Sequence, residues 1–232
     1  MPDGPADNLQ SAKVVVPIVC SLVQPSSVVD VGCGSGSWLS VFLDNGVKRV
    51  LGLDGPYVDP SWLVISKDDF RSVNVGKAFD IEERFDLALS LEVAEHLHRT
   101  AAEEFIESLV KLAPVVLFSA AVPRQGGTHH VNEQWPDFWM NLFKKRRYAA
   151  LDVIRKEIWK NPEVKYWYRQ NIFLYVHEDL INTNLHYMQA LHLSDDLLLI
   201  HKSVFERQRN LRPLLKALPR AVWKAAQALL GR

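Results

Sequence analysis

Val28-Val29-Asp30-Val31-Gly32-Cys33-Gly34-Ser35-Gly36 decides how this sequence is read. An apolar run broken only by Asp30 passes into three glycines at alternate positions, and Trp38 to Asn45 then follows with amphipathic helical spacing. Strand, glycine turn and helix in that order cradle a ligand, because glycine bends sharply and carries no Cβ to hold the ligand off. Dinucleotide-binding folds share the device but place a further glycine where Ser37 stands. A carboxylate at Asp30 would repel a pyrophosphate, whereas it suits a cationic ligand that carries an amino group.

Outward from this turn, Ser27–Val31, Arg49–Leu53, Phe85–Ser90 and Val115–Ser119 are short, continuously apolar runs, the pattern of parallel strands buried on both faces. Helical patterns (Trp38 to Asn45, Thr100 to Leu112) separate them, so the alternation predicts an α/β fold with a doubly wound parallel sheet. Leu9 to Leu22 is a helical pattern that Pro17 should kink or delay. Beyond Ser119 come a polar loop (Pro123 to His130), an aromatic helix pattern (Glu133 to Phe143) and two further strand patterns, Ala149–Ile154 and Ile172–Val176.

The 232 residues suit one domain with some decoration, and 48% hydrophobic residues with seven Trp suffice for a core. Zero formal charge argues against a surface built for nucleic acid. Two cysteines, Cys20 and Cys33, form no metal spacing and fit a reduced, cytoplasmic setting. Residues 1–8 read as a flexible leader without the features of a signal sequence, and no apolar run has the length of a membrane span.

VVDVGCGSGSW resembles the first motif of class I S-adenosylmethionine (SAM)-dependent methyltransferases, and the order of later segments fits that family over residues 9–177. The resemblance implies a Rossmann-like, seven-stranded, mostly parallel sheet flanked by helices; beyond it the pattern is less regular, and 178–232 read as a C-terminal helical extension. It implies that Gly32, Gly34 and Gly36 line the methionine part of SAM, with Asp30 supporting the loop and Leu91 bordering the cofactor at the end of the fourth strand. Asp54 closes the second strand, where a carboxylate accepts the ribose hydroxyls; the plainer reading is a surface-loop Asp before Gly55. For the adenine amine the family often has an Asp. Here Asn74 holds that spacing and Asp68-Asp69 lies slightly earlier, which leaves two candidates.

Ser90-Leu91-Glu92-Val93-Ala94-Glu95-His96 follows the fourth strand, at the strand ends where open α/β sheets bind ligands. On a helical turn Glu92, Glu95 and His96 would share one face. Thr128-His129-His130-Val131-Asn132-Glu133 brings more imidazoles to the same edge. Together they resemble the Glu-x-x-Glu-His plus distal His of metal-dependent small-RNA 2'-O-methyltransferases, and equally the Glu-Val-x-Glu-His segment of metal-independent small-molecule O-methyltransferases. The first resemblance implies Glu92, Glu95, His96 and His129 around a divalent metal such as Mg; the alternative gives Glu95 a structural part at a helix start. A hydroxyl acceptor needs a base with pKa near working pH, and His129, His130 and His96 are the candidates.

Trp135, Phe138, Trp139 and Phe143 recur at helical spacing, as a core stripe or as a wall of an acceptor pocket. Trp167 to Asn171 could add polar tips to the same pocket, and Lys144-Lys145-Arg146-Arg147 reads as a solvated helix end. From Arg207 the chain has no acidic residue, and Arg212, Lys216, Arg220 and Lys224 are spaced four apart. Such a basic amphipathic tail either packs on its own domain or lies peripherally on an anionic membrane or a protein partner. The expectation is O-methylation of a sugar, glycan or other small polar metabolite. The rivals are metal-dependent RNA 2'-O-methylation and a non-catalytic scaffold subunit.

Overall fold

A computed structural model describes residues 5–183 and Tyr187. Seven strands, β1 (Ser27–Val31), β2 (Arg49–Asp54), β3 (Phe70–Ser72), β4 (Leu87–Leu91), β5 (Val115–Ser119), β6 (Tyr148–Leu151) and β7 (Phe173–His177), form one sheet in the order β3-β2-β1-β4-β5-β7-β6. The helices are α1 (Pro5–Val23), α2 (Ser37–Asp44), α3 (Ala102–Leu112), α4 (Pro136–Lys144), α5 (Arg155–Ile158), α6 (Tyr166–Asn171) and α7 (Glu178–Thr183). β3, β2, β1, β4 and β5 pair in parallel, and β7 runs antiparallel to both β5 and β6. The Rossmann-like sheet expected from the glycine motif is therefore present. The strand order reverses between β1 and β4, and the crevice at their carboxyl ends is where such sheets take ligands.

The central strands are apolar on both faces because helices cover both. Val28 packs with Ala12, Val15, Val19, Leu39 and Phe42 of α1 and α2. Val29 and Val31 pack on the other face with Phe105, Ile106 and Leu109 of α3. In α3 the buried residues Ala102, Phe105, Ile106, Leu109 and Leu112 keep a three-and-four spacing, while Glu103 and Glu104 in its first turn suit the positive end of the helix dipole. Asp30 points into the α1–α2 face, between Val29 and Val31, which face the other way.

Several expectations needed adjusting. α1 begins at Pro5, inside the stretch read as a leader, and passes through Pro17 without a break. Pro17 is exposed, so the carbonyl that its missing N–H leaves free faces water. β3 carried no apolar signal; Phe70-Arg71-Ser72 is an edge strand held by the backbone of Gly52 to Asp54. The fourth strand starts at Leu87, because Phe85 and Asp86 are used in capping its lower end. Lys145, Arg146 and Arg147 pair with Glu103, Glu107 and Asp179, so the basic run clamps α4 to α3 and α7. Residues 184–186 and 188–232 of the expected extension, with the basic amphipathic tail, lie outside the described residues. Among the described residues no helix is long and apolar enough to cross a membrane.

Candidate active site

The glycine turn leaves β1 at Gly32, whose N–H donates to Leu53 O at 2.7 Å and so ties the turn to the end of β2. Gly32 has φ 85°, and a Cβ there would lie 2.3 Å from Val93 Cγ2. No other residue satisfies both the left-handed backbone and this close approach of the β4 end. Support for the turn comes from Asp54 instead of Asp30: Asp54 Oδ2 accepts the Gly34 N–H at 2.7 Å. Its Oδ1 accepts the Gly55 N–H at 2.6 Å and the Tyr57 hydroxyl at 2.5 Å.

Asp30 and Asp54 are each 3% exposed and stand at the ends of adjacent strands. Burial first, and then the charge of Asp54, push the Asp30 carboxyl up to about 8. A cation placed between the two carboxylates would reverse that cost, which is the chemistry of an α-amino or sulfonium group. Leu91 is buried at the end of β4, one residue before the turn that faces the glycines. Asn74 is exposed and spends its Oδ1 on the Gly76 N–H at 3.0 Å, a local turn. Asp68 and Asp69 lie in the short turn before β3.

Beyond β4 the chain does not make the helical face that the spacing suggested. Glu92 has φ 56°, a left-handed conformation costing a non-glycine residue on the order of 1 to 2 kcal/mol. Only Ala94 to His96 form a single 3₁₀ turn. Glu92 stays near enough to Glu95 for the two carboxyls to act on each other, but it is held by other groups: its Oε1 accepts from Asn171 Nδ2 at 3.0 Å and its Oε2 from Gln125 Nε2 at 2.8 Å. Asn171 Nδ2 also donates to Gln125 Oε1 at 2.9 Å, closing a triangle of β4, the loop after β5 and the end of α6. Gln125 was not anticipated, and Asn171 only as a polar tip; lone amides in loops carry no spacing signal. The Gly126-Gly127 pair after Gln125 was the available hint.

Glu95 is fully buried, and neither of its carboxylate oxygens has a hydrogen-bond partner. Burial, then the nearby charge of Glu92, raise its pKa well above the usual carboxylate range. Its carbonyl accepts the N–H groups of Val131 and Asn132 at 2.9 and 3.0 Å, which docks the histidine loop onto the 3₁₀ turn. The imidazole brought inward is that of His130: Glu95, His96 and His130 each offer a ligand atom, all within 4.8 Å of one another. His96 and His130 meet edge to face at 4.9 Å between ring centroids. Burial and the neighbouring His130 hold the His96 pKa below its usual value.

The structure thus groups His130, not His129, with Glu95 and His96, while Glu92 borders the group, near enough to interact with Glu95 and His130. His129 is exposed and takes φ 60°, so the backbone turns there and presents the next residue to the site. His130 Nδ1 lies 3.0 Å from Glu133 Oε1. A Cβ on Gly127 would fall 2.1 Å from His130 Nε2, so the imidazole rests directly on glycine backbone. Of the aromatic stripe, Trp139 and Phe143 are core residues packed on Phe118, and Trp135 is 44% exposed beside the histidine loop. The geometry provides a glycine turn beside two buried carboxylates, suited to a cationic ligand, and a group of one carboxylate and two imidazoles suited to proton transfer or to a divalent cation.

Residues 12–154 match the profile of a family described as a methyltransferase domain. Solved structures share the fold. The small RNA methyltransferase HEN1 is 19% identical, with TM-score 0.52 over 72% of this chain and 25% of that one. The sugar N-methyltransferase KedS8 from Streptoalloteichus is 11% identical, with TM-score 0.56 over 72% and 87%. The plantazolicin methyltransferase BpumL, solved with S-adenosylhomocysteine (SAH), is 14% identical, with TM-score 0.53 over 75% and 86%. At these identities the likeness is one of fold, and this chain spans about a quarter of the HEN1 chain. No curated protein matches in sequence.

Proposed function

Because the chain belongs to the methyltransferase-domain family, we propose that it takes its methyl group from SAM and passes it to a hydroxyl oxygen of a sugar or another small polar metabolite. The observation that carries this reading is the His130–Glu133 pair at the carboxyl end of the sheet. Glu133, as carboxylate, favours the tautomer with the proton on Nδ1 and leaves Nε2 as the base. The acceptor oxygen attacks the methyl carbon, the carbon–sulfur bond breaks to release SAH, and the hydroxyl proton passes to His130 Nε2. SAM is already activated, so positioning supplies most of the acceleration. Exposed Trp135 gives a sugar ring an aromatic face, and zero net charge over the whole chain is not the balance of a protein built around a phosphate backbone.

One observation favours a second reading, in which the cluster holds a divalent cation. Both oxygens of the fully buried Glu95 are unpartnered, and two imidazoles stand beside them. One carboxylate and two imidazoles fit a divalent transition ion such as Mn²⁺, Fe²⁺ or Zn²⁺ better than the expected Mg²⁺, which prefers oxygen donors alone. Glu95, His96 and His130 would be the holders, and the ion would supply Lewis-acid polarisation of the acceptor hydroxyl. Methyl-labelled SAM offered with monosaccharides, nucleotide-linked sugars and a short RNA tests both. A base-stable methyl ether on a sugar, formed equally in chelator, supports the first reading. Label on an RNA terminus, or only with added cation, replaces it with the second.

A further inference from the structure

The two oxygens of Asp54 offer four acceptor positions. Three are filled: Gly34 N–H at Oδ2, and Gly55 N–H together with the Tyr57 hydroxyl at Oδ1. A ribose diol brings two more donors, and five donors exceed four positions, so one occupant must leave when both hydroxyls are accepted. The two amides belong to backbone, that of Gly34 in a turn pinned to β2 through Gly32. Tyr57 differs. The residue is 71% exposed, and its phenol donates to Asp54 while lying against the Gly55 backbone. The ring lies against Gly55, where a Cβ would be 2.2 Å from Tyr57 Cε1, so the phenol reaches the carboxylate across bare backbone.

Tyr57 opens a lip, residues 55–65, that also leaves Trp62 and Val64 exposed and is anchored to the glycine turn by Val64 N–H donating to Ser35 O at 2.9 Å. The ribose carboxylate, its present occupant and an apolar rim suited to a flat base therefore lie in one stretch of chain.

We propose that Tyr57 is a specificity residue of the methyl-donor site, its phenol filling one ribose position on Asp54 until a ligand with both ribose hydroxyls displaces it. A ligand with one such hydroxyl takes the fourth position and leaves the phenol in place. Only the full diol meets the competition, and only the full diol gains when the phenol is removed. Losing the one bond to a charged partner, weakened by exposure, sets the effect at about three- to tenfold.

The probes are SAH and its 2'-deoxyribose analogue, titrated calorimetrically into the full chain and into Tyr57→Phe. Phe keeps the ring on Gly55 and removes only the hydroxyl. Tyr57→Phe binds SAH about three- to tenfold tighter and the 2'-deoxy analogue within twofold of the native chain. Weaker or unchanged SAH binding overturns the proposal, and so does an equal gain for both ligands, which would mean that the phenol merely crowds the site. Tyr57→Leu, with the phenol and its ring both gone, must tighten SAH relative to the analogue as well. Unchanged melting of each free variant shows that the readout is binding and not fold.

Discussion

Glu133 receives three donors at once: Nδ1 of His130 at 3.0 Å on Oε1, Gly126 N–H at 2.8 Å on the same oxygen, and Arg124 N–H at 2.6 Å on Oε2. One carboxylate therefore closes the loop after β5 and aims the imidazole that the loop carries. His130→Ala should lower turnover roughly 10²- to 10⁴-fold, the usual share of a positioned base. Glu133→Gln keeps the imidazole but loses its orientation, and should cost about tenfold with a lower melting temperature. SAH affinity should hold in both, because neither residue lies on the donor side. Initial rates of methyl transfer with parallel calorimetry check this, and a His130→Ala enzyme of native turnover would remove His130 as the base.

Asp30 gives a pH dependence whose sign can be worked out. Its carboxyl stands at about 8 in the folded chain, raised by burial and by Asp54, against about 4 when unfolded. Cys33 and Tyr168 are its other titratable neighbours, and both stay neutral because their own pKa values are pushed up. The folded state then binds more protons than the unfolded one between these values, so Asp30's contribution to stability is full below pH 4 and is lost as pH rises toward 8. A ligand with an α-amino cation favours the ionised form, so its binding expels the proton. SAH should bind more tightly as pH rises from 6 to 8, and Asp30→Asn should flatten that slope. Calorimetry in buffers of different ionisation enthalpy counts the released proton; none released contradicts the assignment.

How much of this was legible follows from where each signal lives. β1, β2 and β5 were readable because strands buried on both faces are continuously apolar, and the glycine turn because its backbone admits no side chain at Gly32. β3 was not, since Phe70-Arg71-Ser72 is held by backbone pairing that any side chains allow. The choice between His129 and His130 rests on a left-handed residue at 129, which tertiary docking of the loop onto Glu95 imposes. Spacing alone suggested that Glu92 and Glu95 share a helical face; a positive φ at Glu92 replaces that face by a turn, although the two carboxyls still lie close.

Away from the site, Asp152 and Arg155 tie the antiparallel corner together. Arg155 Nε and Nη2 meet Asp152 Oδ1 and Oδ2 at 2.8 and 2.6 Å, Nη1 donates to Gln170 O at 3.1 Å, and the guanidinium lies over the Phe173 ring. Both residues are buried, and breaking a buried pair of this kind costs about 3 to 5 kcal/mol. Asp152→Ala should lower the melting temperature by roughly 10 °C, while SAH binding at low temperature stays native. A loss under about 2 °C would show that the pair is dispensable to the β6–β7 corner.

Glu92 and Glu95 differ in what already holds them, and this separates their behaviour toward a cation. Both Glu92 oxygens carry an amide donor, from Asn171 and Gln125, whereas Glu95 carries none and sits beside His96 and His130. If the cluster takes a divalent ion, Glu95→Gln should weaken Mn²⁺ binding by more than about 10²-fold, since loss of a direct ligand exceeds the 10- to 100-fold typical of outer partners. Glu92→Gln should weaken it by about tenfold or less and show its main effect as a lower melting temperature, because the amide triangle is broken. Asn171→Leu should follow Glu92→Gln in both measurements. Mn²⁺ titration followed by electron paramagnetic resonance reads the free ion directly. Equal losses in Glu92→Gln and Glu95→Gln would place both carboxylates on the ion. No uptake by the native chain at millimolar Mn²⁺ would leave His130 free to act as the base.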